Sequence, residues 1–152
     1  MDLASILEVN RVSKQFGGLH ALANLNFAIK RGSVVGVIGP NGAGKTTLFN
    51  CITGTYKPNS GSIKFKGEEI VGLQPNQICE KGLTRTYQIP RLFPELTVLE
   101  NVMVGTWLRA KNLSQARERA DQILEFLGFK GNRDLPAKTL MWRHRPPSSW
   151  RA

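Results

Sequence analysis

The stretch GPNGAGKT at residues 39–46 matches the pattern GxxxxGK[ST], whose residue types and spacing suit the binding of phosphate. Its glycines let backbone N–H groups converge on one point, and the positive end of a following helix adds to the attraction for an anion. Lys45 brings a mobile charge to the β- and γ-phosphates, and the Thr46 hydroxyl is the expected Mg²⁺ ligand. We therefore predict a P-loop, which binds a nucleoside triphosphate. The predicted nucleotide contacts there are Gly39, Pro40, Asn41, Gly42, Ala43, Gly44, Lys45, Thr46 and Thr47.

Two elements must position this loop, a strand before it and a helix after it. The run SVVGVI at residues 33–38 is almost continuously apolar and β-branched, which is typical of a strand buried on both faces in a parallel sheet. Residues 46–53 contain no helix breaker, and Leu48, Phe49 and Ile52 recur at helical spacing. A dinucleotide-binding glycine fingerprint is the competing interpretation, and it fails because no third glycine follows.

The rest of the first half is rich in predicted strands. Residues 6–9 predict a short strand, residues 25–30 alternate with a period of two, and residues 62–65 alternate like an edge strand. Pro75 is placed to open a helix that runs to about Lys81. This half, about residues 1–88, is predicted to be the β-rich part that carries the P-loop.

The second half, about residues 89–140, is predicted to be helical. Thr97 and Glu100 have the spacing of a capping box at the start of a helix. Ser114 is predicted to cap another helix, and Gly128 fits the position just past its end. The predicted apolar stripe of that helix is Ala116, Ala120, Ile123, Leu124 and Leu127.

Composition limits the class of protein. The 152 residues are 41% apolar and 21% charged, which is ordinary for a soluble globular chain, and no run of 18 apolar residues predicts a membrane span. The start MDLASILEVN does not resemble a signal peptide. The net charge is +10, but it forms no block of like charges, so we predict no nucleic-acid partner. Cys51 and Cys79 form no CxxC pair, which suits a reduced cytosolic protein.

Beyond the P-loop, the chain resembles the ATP-binding subunits of ABC transporters from about Leu7 to Leu140. GPNGAGKTTL is the form of the P-loop usual in that family, and VSKQFGG at residues 12–18 looks like the segment that carries its adenine-stacking aromatic, which would be Phe16. TRTYQ at residues 84–88 is similar to the Q-loop, so Gln88 would reach the Mg²⁺ and the attacking water. The resemblance implies an α/β P-loop NTPase fold of the ABC ATPase type, with an N-terminal antiparallel β part and a helical subdomain.

Within that family, FGGLHAL at residues 16–22 and LFPELTVLENVMVG at residues 92–105 look like the ATPase of branched-chain amino-acid importers. Urea importers have related ATPases, so the solute stays open. The resemblance implies ATP and Mg²⁺ as ligands, with Lys45 and Gln88 as catalytic residues. It also implies membrane permease subunits, a homo- or heterodimer of ATP-binding subunits, indirect contact with a solute-binding protein, and a place in the cytoplasm at the inner face of the plasma membrane.

The resemblance stops after Leu140. The family continues with a signature of the Leu-Ser-x-Gly-Gln type, whereas this chain reads MWRHRPP at residues 141–147, and His144 has no matching context. The Walker B aspartate, the catalytic glutamate and the switch histidine have no counterpart. We expect residues 1–140 to be a C-terminally truncated ABC ATPase domain with an incomplete core sheet, and 141–152 an unrelated tail from an out-of-frame reading.

Three expectations follow from that gap. The strand at residues 33–38 is expected to expose an unpaired, apolar edge, and the chain is expected to bind ATP weakly and not to hydrolyse it. Two other functions stay open. One is a non-enzymatic, nucleotide-binding regulatory protein, and the other is a small P-loop kinase with Arg85 and Arg91 as its lid arginines.

Overall fold

The computed structural model describes residues 5–87 and 91–143. The chain divides into two compact units, and the division falls between Thr86 and Tyr87. Each unit has its own apolar core.

The first unit is built on a four-stranded antiparallel sheet. Its strands are β1 (Ser5–Phe16), β2 (Leu19–Lys30), β3 (Ser60–Phe65) and β4 (Glu68–Glu69), in the order β2-β1-β3-β4. The three strands predicted in this region are therefore present, but β3 is not an edge strand as predicted, because β4 pairs with it on the side away from β1. β1 and β2 are each longer than predicted, because they pair with one another from end to end across the tight turn that joins them.

The core of this unit lies between the sheet and two helices, α1 (Lys45–Ile52) and α2 (Pro75–Glu80). Their positions match the predicted helices at residues 46–53 and 75–81 to within a residue. Large apolar side chains on the inner face of the sheet have no exposed surface, and one from α2 joins them. These side chains are Val9, Val12, Ile63 and Ile78.

The buried face of α1 differs from the prediction at one position. Leu48 and Ile52 are buried, but Phe49 is 44% exposed. The third inward position belongs to Cys51, because positions i, i+3 and i+4 of a helix share one face and Phe49 is turned away from it.

The predicted buried strand at residues 33–38 is wrong for this structure. Residues 33–40 have no regular secondary structure, and Val34 and Ile38 are almost fully exposed. A strand buried on both faces exists only when neighbouring strands supply its hydrogen bonds and other layers cover its faces. None of the segments that the structure describes pairs with residues 33–38.

The second unit is helical. It contains α3 (Val98–Thr106), a short 3-10 turn at Trp107–Arg109, α4 (Leu113–Phe126) and α5 (Lys138–Arg143). Within the described ranges 5–87 and 91–143, no helix combines the length and the apolar character that crossing a bilayer would take.

The capping box at the start of α3 is confirmed. The Glu100 backbone N–H donates to the Thr97 hydroxyl at 3.1 Å, and the Thr97 backbone N–H donates to the Glu100 carboxylate at 2.8 Å. Two of the N–H groups that the first turn leaves without helical partners are thereby satisfied.

The start of α4 differs from the prediction. Asn112, not Ser114, is its cap, and the Asn112 side-chain oxygen accepts from the Gln115 backbone N–H at 2.9 Å. Gly128 follows the end of the helix with φ 64°, as predicted. Of the predicted apolar stripe, Ala116, Ala120 and Leu124 are buried, whereas Ile123 and Leu127 are 40% and 68% exposed.

Candidate functional site

The loop at residues 39–46 leads directly into α1. Gly44 is the residue that caps this helix, and its φ of 85° lies in the left-handed region. A Cβ atom on Gly44 would lie 2.4 Å from the backbone oxygen of Ala21 on β2. Only glycine allows this backbone conformation and this close approach together, so Gly44 fixes the loop against the sheet.

The Lys45 side chain links the end of the loop to its beginning. Its Nζ atom donates hydrogen bonds to the backbone oxygens of Gly39 and Pro40, both at 2.6 Å. The Ala43 backbone N–H donates to Pro40 O at 3.3 Å, which tightens the same turn. Because the first turn of α1 contains no acidic residue, no carboxylate of that turn competes for the Lys45 ammonium, which stays with the loop.

A cavity of about 300 Å³ lies in front of the loop. One wall is the loop and the first turn of α1, and the other is the end of the β1–β2 hairpin. The lining residues are Phe16, Leu19, His20 and Ala21 from the sheet, and Asn41, Gly42, Ala43, Gly44, Lys45, Thr46 and Thr47 from the loop and helix. The structure thus brings Phe16 to seven of the nine predicted P-loop residues. Gly39 and Pro40 contact Lys45 instead of lining the cavity.

Phe16 has two neighbours that the sequence analysis did not identify. The ring of Tyr56 lies 5.2 Å from that of Phe16, centre to centre, in an edge-to-face arrangement with an interplanar angle of 74°. The Lys14 Nζ lies 5.1 Å from the centre of the Phe16 ring. Leu19 and His20 were also missed, although a hairpin across Gly17 and Gly18 pairs them with Phe16 and Gln15. No signal in the sequence links Tyr56 to Phe16.

The residues that line the cavity fit a phosphate chain. Backbone N–H groups of a glycine-rich turn, a lysine and the start of α1 all present positive charge, and none of the lining side chains is a carboxylate. They fit Mg²⁺ only in part. Across the described residues no three His, Cys, Asp or Glu side chains form a metal-binding group. Thr46 would therefore supply one ligand to an ion that phosphate oxygens also hold.

The remaining candidate residues lie elsewhere. Gln88, the predicted Q-loop residue, lies outside the described residues, as does His144. Arg85 donates a hydrogen bond to the Asn50 side chain on α1 and does not line the cavity. Cys51 is buried, and that burial raises the pKa of its thiol despite the opposing charge of Lys14.

Comparison with known proteins assigns most of the chain to one family. The family model described as ABC transporter matches residues 22–143. This range includes the P-loop and α1 through α5, and the matching family is the one that the sequence resembles.

Curated relatives are ATP-binding proteins of branched-chain amino-acid transport. The chain is 52% identical over 100 residues to the high-affinity branched-chain amino acid transport ATP-binding protein BraF of Pseudomonas aeruginosa, covering 66% of this chain and 39% of BraF. It is 38% identical to LivG of Escherichia coli K12, covering 90% of this chain and 60% of LivG. A probable LivG of Archaeoglobus fulgidus is 37% identical, with 89% and 57% covered. The chain thus spans at most about 60% of the length of these relatives.

Solved structures give the same result for the fold. A nucleotide-free ATP-binding cassette from an ABC transporter matches with a TM-score of 0.74 and 32% identity, covering 89% of this chain and 58% of that one. A cassette in its ADP conformation matches with a TM-score of 0.75, and the match again covers 89% of this chain and 58% of the other. A dimeric bacterial ABC transporter cassette matches with a TM-score of 0.70 and 27% identity, covering 84% and 60%. These neighbours confirm the predicted fold class, a P-loop NTPase of the ABC ATPase type.

Proposed function

The chain belongs to the ABC transporter family, and we propose that it carries the nucleotide-binding part of an ATP-binding subunit of a branched-chain amino-acid importer. One observation supports nucleotide binding above the others, namely that a single cavity is lined both by the phosphate-binding loop and by the aromatic ring of Phe16. The relatives named for branched-chain amino-acid transport support the class of importer.

In this proposal the two walls of the cavity hold different parts of ATP. The loop of residues 39–46 binds the phosphates, and Lys45 exchanges its hydrogen bonds to Gly39 and Pro40 for phosphate oxygens. Thr46 supplies a hydroxyl to Mg²⁺, which neutralises phosphate charge when it is bound. Phe16, 41% exposed, offers a flat apolar face to the adenine base.

For these 152 residues we propose ATP binding without turnover. None of the described side chains that line the cavity is a carboxylate or another group able to take the proton of an attacking water, apart from His20 on the opposite wall. In the whole protein, Gln88 would reach Mg²⁺ and the water. That protein would hydrolyse ATP as a dimer at the inner face of the plasma membrane and drive the permease subunits.

Binding of Mg·ATP to the 152-residue chain and to Lys45→Ala tests the proposal. A charge-assisted hydrogen bond contributes about 1.5–3 kcal/mol, so we expect Lys45→Ala to bind ATP about 10- to 150-fold more weakly in calorimetry. Lys130→Ala removes the same charge from an exposed position in the second unit and is the matched control. Equal ATP affinity in the wild type and Lys45→Ala would contradict the proposal, and so would turnover above background.

A further inference from the structure

The segment between α1 and β3 contacts the end of β1 that carries Phe16. The Asn59 backbone N–H donates to Ser13 O at 2.9 Å, and the Asn59 side-chain oxygen accepts from the Gln15 backbone N–H at 2.8 Å. The Lys14 Nζ donates to Lys57 O, also at 2.8 Å. Three successive residues of β1 are therefore held by this one short segment.

These contacts begin where the sheet pairing ends. The ladder between β1 and β3 stops at the pair Ser13 and Ser60. Beyond that pair, the side chain of Asn59 takes the place of a strand neighbour for Gln15, directly before Phe16. The buried Pro58 stiffens the segment, since proline fixes its own φ.

The same segment is tied to the phosphate-binding loop through α1. This helix starts at Lys45 and ends at Ile52, and the Tyr56 backbone N–H donates to Asn50 O at 3.0 Å in its last turn. Tyr56 then packs its ring against Phe16. A short and continuous set of contacts therefore runs from the loop that would hold the phosphates to the ring that would hold the base.

We propose that Tyr56 and Asn59 are positioning residues for Phe16, which hold its ring at the distance from the phosphate-binding loop that a nucleoside triphosphate needs. Asn59 fixes the backbone before Phe16, and Tyr56 fixes the ring. The inference rests on the proposed nucleotide binding and deepens it. It predicts that Tyr56 and Asn59 contribute to recognition of the base and not to recognition of the phosphates.

The test compares the affinities of the 152-residue chain for ATP and for inorganic tripolyphosphate, each with Mg²⁺. Stacking of a base on an aromatic ring contributes about five- to 150-fold in affinity. We expect Tyr56→Ala and Asn59→Ala to bind ATP about five- to tenfold more weakly and tripolyphosphate as tightly as the wild type. Tyr56→Phe keeps the ring and Asn59→Asp keeps the accepting oxygen, so both are expected to bind ATP like the wild type.

The possible outcomes distinguish failure of the positioning role from failure of the proposed nucleotide binding. Equal losses for both ligands in the alanine variants, or no loss for ATP, would overturn the positioning role. Failure of the wild type to bind either ligand, or unchanged binding in Lys45→Ala, would overturn the proposed function. Hydrogen exchange of the Gln15 amide, measured without nucleotide, tests the contact with Asn59 independently of nucleotide binding. We expect faster exchange in Asn59→Ala than in Asn59→Asp, and equal rates in the two would overturn it.

Discussion

At the scale of single residues, the site depends on two absent groups, a side chain at residue 44 and an acidic partner for Lys45 in the first turn of α1. Gly44 has no side chain, and this lets α1 start against the backbone of β2. Lys45 has no acidic partner in the first turn of its helix, and its ammonium stays with the carbonyls of Gly39 and Pro40. Phosphate oxygens can replace those two neutral acceptors, whereas a carboxylate partner would hold the lysine more strongly.

Gly44→Ala is expected to weaken both folding and binding. The added Cβ meets Ala21 O at 2.4 Å in a left-handed backbone conformation, and strain of this kind costs about 1–3 kcal/mol. Urea unfolding and ATP titration measure the two effects. Gly36→Ala is the control, because a Cβ there meets no heavy atom within 4 Å and its φ is not in the left-handed region. Equal stability of the two variants would show that the approach of the loop to β2 is not tight.

At the scale of elements, hydrogen bonds at the helix ends decide where the helices of the second unit begin. α3 starts at the reciprocal pair Thr97 and Glu100, and α4 starts at Asn112. The pair at α3 has the full sequence pattern of a capping box, so the sequence predicted it. Asn112 and Ser114 are both good caps, and the structure selects the earlier one.

Asn112→Ala is expected to destabilise α4, and Ser114→Ala is not. Loss of an N-cap oxygen costs about 1 kcal/mol, and Asn112 supplies the oxygen that binds the Gln115 N–H. Unfolding in urea, followed by circular dichroism, measures the difference. A larger loss of stability in Ser114→Ala than in Asn112→Ala would show that Ser114, the residue predicted from the sequence, caps α4.

The capping box of α3 makes the stability of this helix depend on pH. The backbone N–H and the hydroxyl of Thr97 donate to the Glu100 carboxylate and hold its pKa below the usual value. A lowered pKa in the folded state means that this stabilisation is complete above the unfolded pKa of about 4.3 and is lost as the pH falls through the folded value. The protection factors of the α3 amides, which are the exchange rates of the unfolded chain divided by theirs at the same pH, should therefore fall more on acidification in the wild type than in Glu100→Gln. The same fall in both proteins would contradict the assignment.

At the scale of the whole molecule, one segment that the sequence predicts to be core carries exposed apolar side chains. Val34 and Ile38 are almost fully exposed, next to the phosphate-binding loop. An extended segment that has apolar, β-branched side chains and no strand partner pairs readily with other chains. The structure therefore keeps the expectation of an apolar surface at residues 33–38, although the regular strand itself does not form.

Val34→Lys is expected to reduce self-association of the 152-residue chain, because a charge in an unpaired strand segment opposes pairing between chains. Light scattering over a range of concentrations measures this, with unfolding curves to show that stability is unchanged. Gln122→Lys places the same charge at an exposed polar position in the second unit and is the control. An equal reduction in both variants would mean that net charge, and not this segment, governs association.

The sequence by itself determined the parts that depend on local chemistry. The P-loop, the helix after it, the capping box of α3 and the glycine after α4 follow from residues close together in the chain, because backbone conformation and short-range hydrogen bonds set them. The family followed for the same reason, since its motifs are local.

Only the tertiary structure decided the rest. Three features depend on which distant segments supply a partner or a cover. They are the exposure of Phe49, the absence of a strand at residues 33–38, and the contacts of Phe16 with Tyr56 and of Gln15 with Asn59. The hydrogen bond from the Gln15 N–H to the Asn59 side chain and the ring contact of Phe16 with Tyr56 join residues about 40 positions apart in the chain. No pattern of neighbouring residues contains that pairing, because it exists only once the hairpin and the segment after α1 have packed together.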